Sequence, residues 1–357
     1  MKDAIVAGKK PRLIKMEKKG DTVMWCACGR STRQPFCDGS HKGTSFTPVR
    51  LTASKDGEEA LLCLCKRTRK QPYCDGSHNG LDAKYGTPSE EQSEEQAIDW
   101  AGAELVSRSD GQYGRARLDG DCFVLTPHLD KEPSADDWRA LATIGNSDGA
   151  DKLSQWLMRP SGDKTAPIDF GAAEVILFTA DGSIEIDISG TLFSAPRHSA
   201  IAVRPGESFS VQSGGAGATL IATVCPPEPL NRRRERAPFD GKFPHRVGSF
   251  DASAKQSMGD RFYQVLTSPA CGADQITQFF GMIPQSRSAP HRHLYEETLY
   301  VLSGDGFMWT EARRARVSPG DVIYLPRKQL HSLECTSPAG MLLAGSFYPA
   351  GSPAINY

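Results

Sequence analysis

The stretch "HRHLYEETLYVLSG", His291 to Gly304, sets two imidazoles two residues apart, a carboxylate four residues after the second, and a glycine seven residues after that. Side chains along a β-strand alternate between its faces, so on a strand His291 and His293 point the same way. Downstream, "PGDVIYLPRKQLH" places His331 eleven residues after Gly320. Three neutral imidazoles and one carboxylate, His291, His293, Glu297 and His331, suit a divalent iron, manganese, nickel or zinc ion with positions left open for a substrate. A single histidine on a strand is commonly just packed, but four donors at this spacing are a poor match to simple packing. Glu296 is the neighbouring alternative to Glu297.

The sequence around this stretch has the rhythm of short strands. From about residue 250, "DRFYQVLTS", "DQITQFFGMIP", "ETLYVLSG", "DGFMWTEA", "DVIYLP", "HSLEC" and "GMLLAGSFYP" follow one another with Gly and Pro turns between them. That pattern reads as a sandwich or barrel. The block resembles the cupin superfamily. Its first motif is His-x-His, three or four residues, Glu, six residues, Gly, and 291–304 match it. Its second is Gly, five residues, Pro, then His five later, and Gly320, Pro326 and His331 match it. Gln285 and Cys335 stand where the family usually has Gly and Asn. The resemblance implies a small β-barrel with a metal in its mouth and the four ligands named above, but it names no reaction. Tyr295, Tyr300 and Gln278 are the catalytic candidates that strand parity and nearness to the ligands bring forward.

Residues 97–235 repeat the rhythm without the ligands. "EVILFTADGSIEIDI", Glu174 to Ile188, reads as a hairpin about Asp181-Gly182. "SADDWRALATIGNSDGADKLSQWLM" has helical spacing of Trp138, Leu141, Leu153, Trp156 and Leu157. His128 and His198 stand alone, as surface or packed histidines. The expectation is a degenerate, metal-free cupin over 97–235, related by internal duplication to a metal-binding one over 236–357. Cys122, Cys225, Cys271 and Cys335 lack metal spacing and read as small buried hydrophobes, with Cys335 close in sequence to His331.

The front of the chain differs in texture. Residues 1–86 carry 17 Lys and Arg against 9 Asp and Glu, so this part is basic while the remainder is acidic. It writes one pattern twice: "CACGRSTRQPFCDGSH" over Cys26–His41 and "CLCKRTRKQPYCDGSH" over Cys63–His78, ten of sixteen positions being identical. Cys26, Cys28, Cys37 and His41, and likewise Cys63, Cys65, Cys74 and His78, can hold a zinc ion or an iron–sulfur cluster. Both copies resemble the CDGSH iron–sulfur family, to which mitoNEET and its tandem-motif relatives belong. Ser31 and Thr68, Pro35 and Pro72, and the written-out Cys-Asp-Gly-Ser-His carry the resemblance. It implies two [2Fe–2S] clusters, each on three Cys and one His, with the two motifs pairing inside one chain. Asp38 and Asp75 are expected to cap a following helix. A segment this small buries little core and relies on such centres as staples. "TPSEEQSEEQ", 87–96, reads as an acidic linker.

The fold class read from the sequence is therefore mainly β: a tandem CDGSH domain over 1–86, then two cupin barrels, the first degenerate. A net charge of −1 over 357 residues argues against a nucleic-acid binder. No stretch has the length of a transmembrane helix, and "MKDAIVAGKKPRLIKMEKK" lacks the apolar run of a secretory signal. A cytoplasmic, reducing setting is expected, where cysteines serve as metal ligands or free thiols. The assembled parts point to a non-haem metal oxygenase or oxidoreductase, with iron as the first choice of metal and a small polar substrate. O2 and a reductase or other electron donor would be its partners. The pairing is analogous, by parts, to oxygenases that join a Rieske cluster to a mononuclear iron. The alternatives are a non-redox isomerase, lyase or hydrolase with manganese or zinc, and a ligand-binding redox sensor or iron–sulfur store. Homo-oligomers through the cupin surfaces are a further expectation.

Overall fold

The computed structural model describes residues 4–80, 100, 102–108, 113–131, 137–231, 237–258 and 260–355. The linker expected over 87–96 lies outside them. Two compact units result, one of Met1–Asp99 with Pro290–His293 and Ser352–Tyr357, and one of Trp100–Ala289 with Leu294–Gly351.

The first unit interlocks its two repeats. Arg12–Met16 pairs antiparallel with Glu58–Leu62, and Thr22–Trp25 with Val49–Thr52. The leading strand of each copy thus pairs with the trailing strand of the other. Each trailing strand runs directly into a Cys-x-Cys pair, at Cys26 and at Cys63. Ile14, Met16, Trp25, Leu51, Ala53, Ala60 and Leu62 form one small buried core with Cys63 and Cys65. A core of this size stabilises a fold only modestly without further cross-links.

The second unit is all strand and short turn. One large sheet runs, by residue number, 247–249, 199–203, 174–181, 219–225, 154–160, 138–144. The other runs 256–258, 261–265, 277–283, 341–348, 296–303, 322–325, 123–127, 113–117. Read in opposite directions, the six strands of the first match six successive strands of the eight in the second. Each sheet borrows from the other half: Phe123–Pro127 pairs with Val322–Leu325, and Val247–Ser249 pairs with Ser199–Val203. Strands therefore cross residue 236 in both directions. Each half completes its barrel with a small sheet, 191–195, 184–188, 209–213 in one and 332–335, 306–309, 313–317 in the other, the last edged by 104–105.

Two local expectations are corrected. The helix over 134–158 is instead the strand pair Trp138–Ile144 and Ser154–Pro160. Trp138 packs into one core and Leu141 and Ile144 into another, so both faces of this strand are buried, and a β-bulge between Ala142 and Ile144 completes the helix-like spacing. The Asp181-Gly182 turn does not close a hairpin. Glu174–Asp181 pairs with Ser199–Val203 and Thr219–Cys225, whereas Ile184–Ile188 pairs with Thr191–Ala195 and Phe209–Ser213. The turn carries the chain from one sheet of the barrel to the other.

The first barrel is filled by Ile168, Phe170, Val175, Leu177, Ile186 and Phe209 among others. A second core lies between the barrels and includes Phe123, Phe178, Phe280, Tyr300 and Tyr324. The connection between them is pinned by Arg246, whose guanidinium donates to both carboxylate oxygens of Glu207 at 2.7 and 2.8 Å, with neither side chain exposed by more than 1%. Arg246 also donates to the carbonyls of Ala202, Asp240 and Phe243.

Candidate metal centres

In the first unit the donor atoms come in pairs. Cys26 Sγ and Cys28 Sγ lie 3.6 Å apart, and Cys37 Sγ lies 3.1 Å from His41 Nδ1. The second copy gives 3.4 Å for Cys63–Cys65 and 3.3 Å for Cys74–His78. A single zinc draws all four donors around one ion at about 2.0–2.3 Å each. Among the described residues, no three of these donors lie within 4.8 Å of one another. Two such pairs in each motif fit a two-iron cluster with two ligands on each iron.

The loops that hold these donors repeat one set of bonds. Ser31 Oγ donates to the Phe36 carbonyl and Thr68 Oγ1 to that of Tyr73, both at 2.6 Å. Backbone amides of Arg30 and Gly39 donate to Cys28 and Cys37 sulfur, and those of Arg67 and Gly76 to Cys65 and Cys74. Such bonds favour thiolate over thiol and offset part of a cluster's negative charge. Asp38 does not cap an α-helix. Its carboxylate accepts from Ser40 N and reaches back to Thr32 N, stapling the loop, and these bonds hold it well below the usual carboxylate range. Asp75 accepts likewise from Ser77 N and Arg69 N. Cys37 and His41 are partly exposed, whereas Cys74 and His78 are buried. Burial lowers the Lys66 ammonium to about 8, against the opposing pull of nearby cysteine sulfurs.

In the C-terminal barrel, His293, Glu297 and His331 bring one donor atom each to within 4.8 Å of one another, all three buried. Glu297 projects from Glu296–Ser303, and His331 immediately precedes Ser332–Cys335 in the small sheet. His331 Nδ1 lies 2.8 Å from the Gln329 carbonyl, so it donates there and leaves Nε2 for a metal. Two imidazoles and a carboxylate buried together fit a divalent cation. Gly304 closes the motif with φ +85°, and a Cβ there would stand 2.4 Å from the Gly340 carbonyl oxygen.

His291 is not part of this group. Residues 292–295 are not a strand, so the alternation argument does not apply, and the His291 ring lies 6.2 Å from that of His293. Glu296 faces the other way and accepts from the backbone of Asp151 and Leu153. Of the catalytic candidates, Tyr300 is on the face of its strand opposite Glu297 and joins the core between the barrels. The Gln278 amide is engaged by Phe279 O, Gly345 O and Ser346 Oγ, which makes it a structural strut. Tyr295 remains. It stacks on Phe347 at 4.2 Å, and burial next to Glu297 raises its phenol well above the ordinary value, keeping it protonated. Cys335 donates to the Ser337 carbonyl. Cys122 and Cys225 are buried, as small hydrophobes are.

Residues 4–42 match the family described as iron-binding zinc finger CDGSH type, and residues 278–345 match the cupin domain. The chain carries a CDGSH domain at its N-terminus and a cupin domain near its C-terminus. The CDGSH domain is 49% identical over 53 residues to human CDGSH iron-sulfur domain-containing protein 3, mitochondrial, covering 14% of this chain and 40% of that one. A second stretch is 28% identical over 116 residues to quercetin 2,3-dioxygenase of Bacillus subtilis, covering 31% and 34%. The chain thus spans 40% or less of the curated relatives it matches. Among solved structures, a salicylate 1,2-dioxygenase from Pseudaminobacter salicylatoxidans aligns at 10% identity and a TM-score of 0.48, covering 60% of this chain and 78% of that one.

The first barrel differs from the C-terminal one at the donor positions. Glu174 and Glu296 open equivalent strands, which sets Asp169, Gly171 and Val175 opposite His291, His293 and Glu297. Phe209 and Ser332 open equivalent strands too, which sets Ser208 opposite His331. That barrel repeats the strand pairing of the C-terminal one, and the Asp169 carboxylate accepts from the Gly171 amide at 2.8 Å. No helix of the described residues is long and apolar enough to cross a membrane.

Proposed function

We propose that this protein is a cupin oxygenase or related oxidoreductase whose CDGSH domain holds two [2Fe–2S] clusters as its electron relay. The reading rests on one conjunction: two sets of paired donors and a buried His293–Glu297–His331 group in a single chain. Bound clusters supply one-electron exchange, and a bound non-haem metal, with iron the first choice, supplies oxygenation chemistry. His293, Glu297 and His331 would hold that metal and leave positions for a small substrate's polar atoms. Tyr295 keeps its proton beside Glu297, and with Phe279 and Phe347 it forms an apolar, water-excluding wall. The likeness of one stretch to quercetin 2,3-dioxygenase supports the oxygenase class. An external reductase would be the electron donor.

Anaerobic purification with metal analysis and EPR tests the reading. About four cluster irons and one further iron per chain are expected, from two two-iron sites plus one mononuclear site. After dithionite reduction, clusters should reoxidise in O2 more slowly when Glu297 is replaced by Ala. Manganese or zinc in the cupin, with reoxidation unaffected by Glu297→Ala, would overturn the reading in favour of a non-redox cupin.

A further inference from the structure

The two Cys-x-Cys loops differ at one buried position. Gly29 follows the first pair and Lys66 the second, and both have positive φ, +74° and +60°. Glycine adopts that conformation freely, whereas lysine held there is strained. The first loop has no space for a side chain, because a Cβ at Gly29 would meet the Ile5 carbonyl oxygen at 1.8 Å. One lysine therefore serves the domain, and it is 5% exposed.

Its ammonium sits where the two loops meet. Nζ donates to the Cys63 carbonyl at 3.0 Å and lies 4.5 Å from the centre of the Trp25 ring. Trp25 directly precedes Cys26, and its Nε1 donates to that same carbonyl at 2.8 Å. The sulfurs of Cys26, Cys63, Cys65 and Cys28, from both motifs, act on this charge. A buried ammonium is strongly disfavoured unless negative charge compensates it.

We propose that Lys66 is a counter-cation shared by the two iron–sulfur sites, a positioning residue whose single positive charge raises the reduction potential of both. This rests on the reading that each motif holds a [2Fe–2S] cluster. Each cluster gains one negative charge when it takes one electron, so a fixed cation nearby stabilises the reduced form more than the oxidised one.

The test is an EPR-monitored potentiometric titration of the full chain with Lys66→Met, which keeps the apolar stem, and Lys66→Gly, which copies the first loop. Both midpoints should fall, each by a tenfold or larger change in the reduction equilibrium, about 59 mV for a one-electron couple. Lys66→Arg, which keeps the charge, should stay near wild type. Unchanged midpoints, or a shift confined to the second site, would overturn the proposal. Loss of cluster from the Met and Gly variants with retention in Arg supports it, whereas loss from all three means that shape and not charge matters, and sinks it. A wild type without two one-electron couples instead defeats the underlying cluster assignment, a separate result.

Discussion

Glu174 and Glu296 stand at the same place in the two barrels, and each reaches into the other barrel's backbone. The Glu174 carboxylate accepts from the amides of Asp274, Gln275 and Ile276, and Glu296 accepts from those of Asp151 and Leu153. These two buried acids fix the loops that open equivalent strands, and they do so reciprocally.

Removing one should be costly. Glu174→Ala leaves three buried amides without their acceptor and is expected to cost about 3 kcal/mol in guanidinium unfolding. Burial raises both carboxyls. A raised folded-state pKa adds stability that is fully present below the unfolded value of about 4.3 and is lost as pH rises through the folded value. Glu174→Gln, which cannot ionise, should flatten that decline when stability is compared from pH 4.5 upward. An unchanged slope would contradict the assignment.

The metal group makes a sharper distinction between neighbours. Glu297→Ala and His331→Ala should each lower metal occupancy of the cupin by tenfold or more, read by elemental analysis after dialysis against free metal. Glu296→Gln should leave occupancy intact and alter stability instead. His291→Ala should weaken binding less than His293→Ala does.

Arg246 and Glu207 form a wholly buried pair in the connection between the barrels. Truncating one partner strands the other's charge, so Glu207→Ala should cost about 3–5 kcal/mol in chemical denaturation. Replacing both together with apolar residues of similar volume should recover much of that loss. A double variant no more stable than the single one would refute the pairing's role.

Because strands cross residue 236 both ways, neither half should fold alone. Residues 100–236 and 237–357 expressed separately should be insoluble or molten by near-ultraviolet circular dichroism, whereas co-expression should yield a folded complex. Independent folding of either half would show that the exchanged strands are dispensable.

How much of this is legible in the sequence depends on whether the signal is chemical or tertiary. Both CDGSH motifs and the cupin donors stand out because few other combinations of Cys, His and Glu serve such spacing. His291 lies outside the group of three, and alternation does not fix its side, because the strand begins at Glu296. Burial on both faces, together with the bulge near Ala142, disguised two strands as a helix. Arg313–Val317, "RRARV", hid its strand behind three arginines, two of which lie against Phe307 as cations over a ring. Nothing local in Phe123–Pro127 or Val247–Ser249 announces that its partner lies in the other barrel. Lys66 did carry a signal, as the one non-glycine at that turn in an otherwise close repeat.

The interlocked repeats of the first unit have a consequence for how such a molecule can diversify. Two identical chains that trade strands must change both sites with every mutation. Two copies traded within one polypeptide are released from that identity. Here Gly29 and Lys66 have parted while their frames still match, and in the barrels Val175 and Ser208 have parted from Glu297 and His331. Fusion has let one copy specialise while the other keeps it folded.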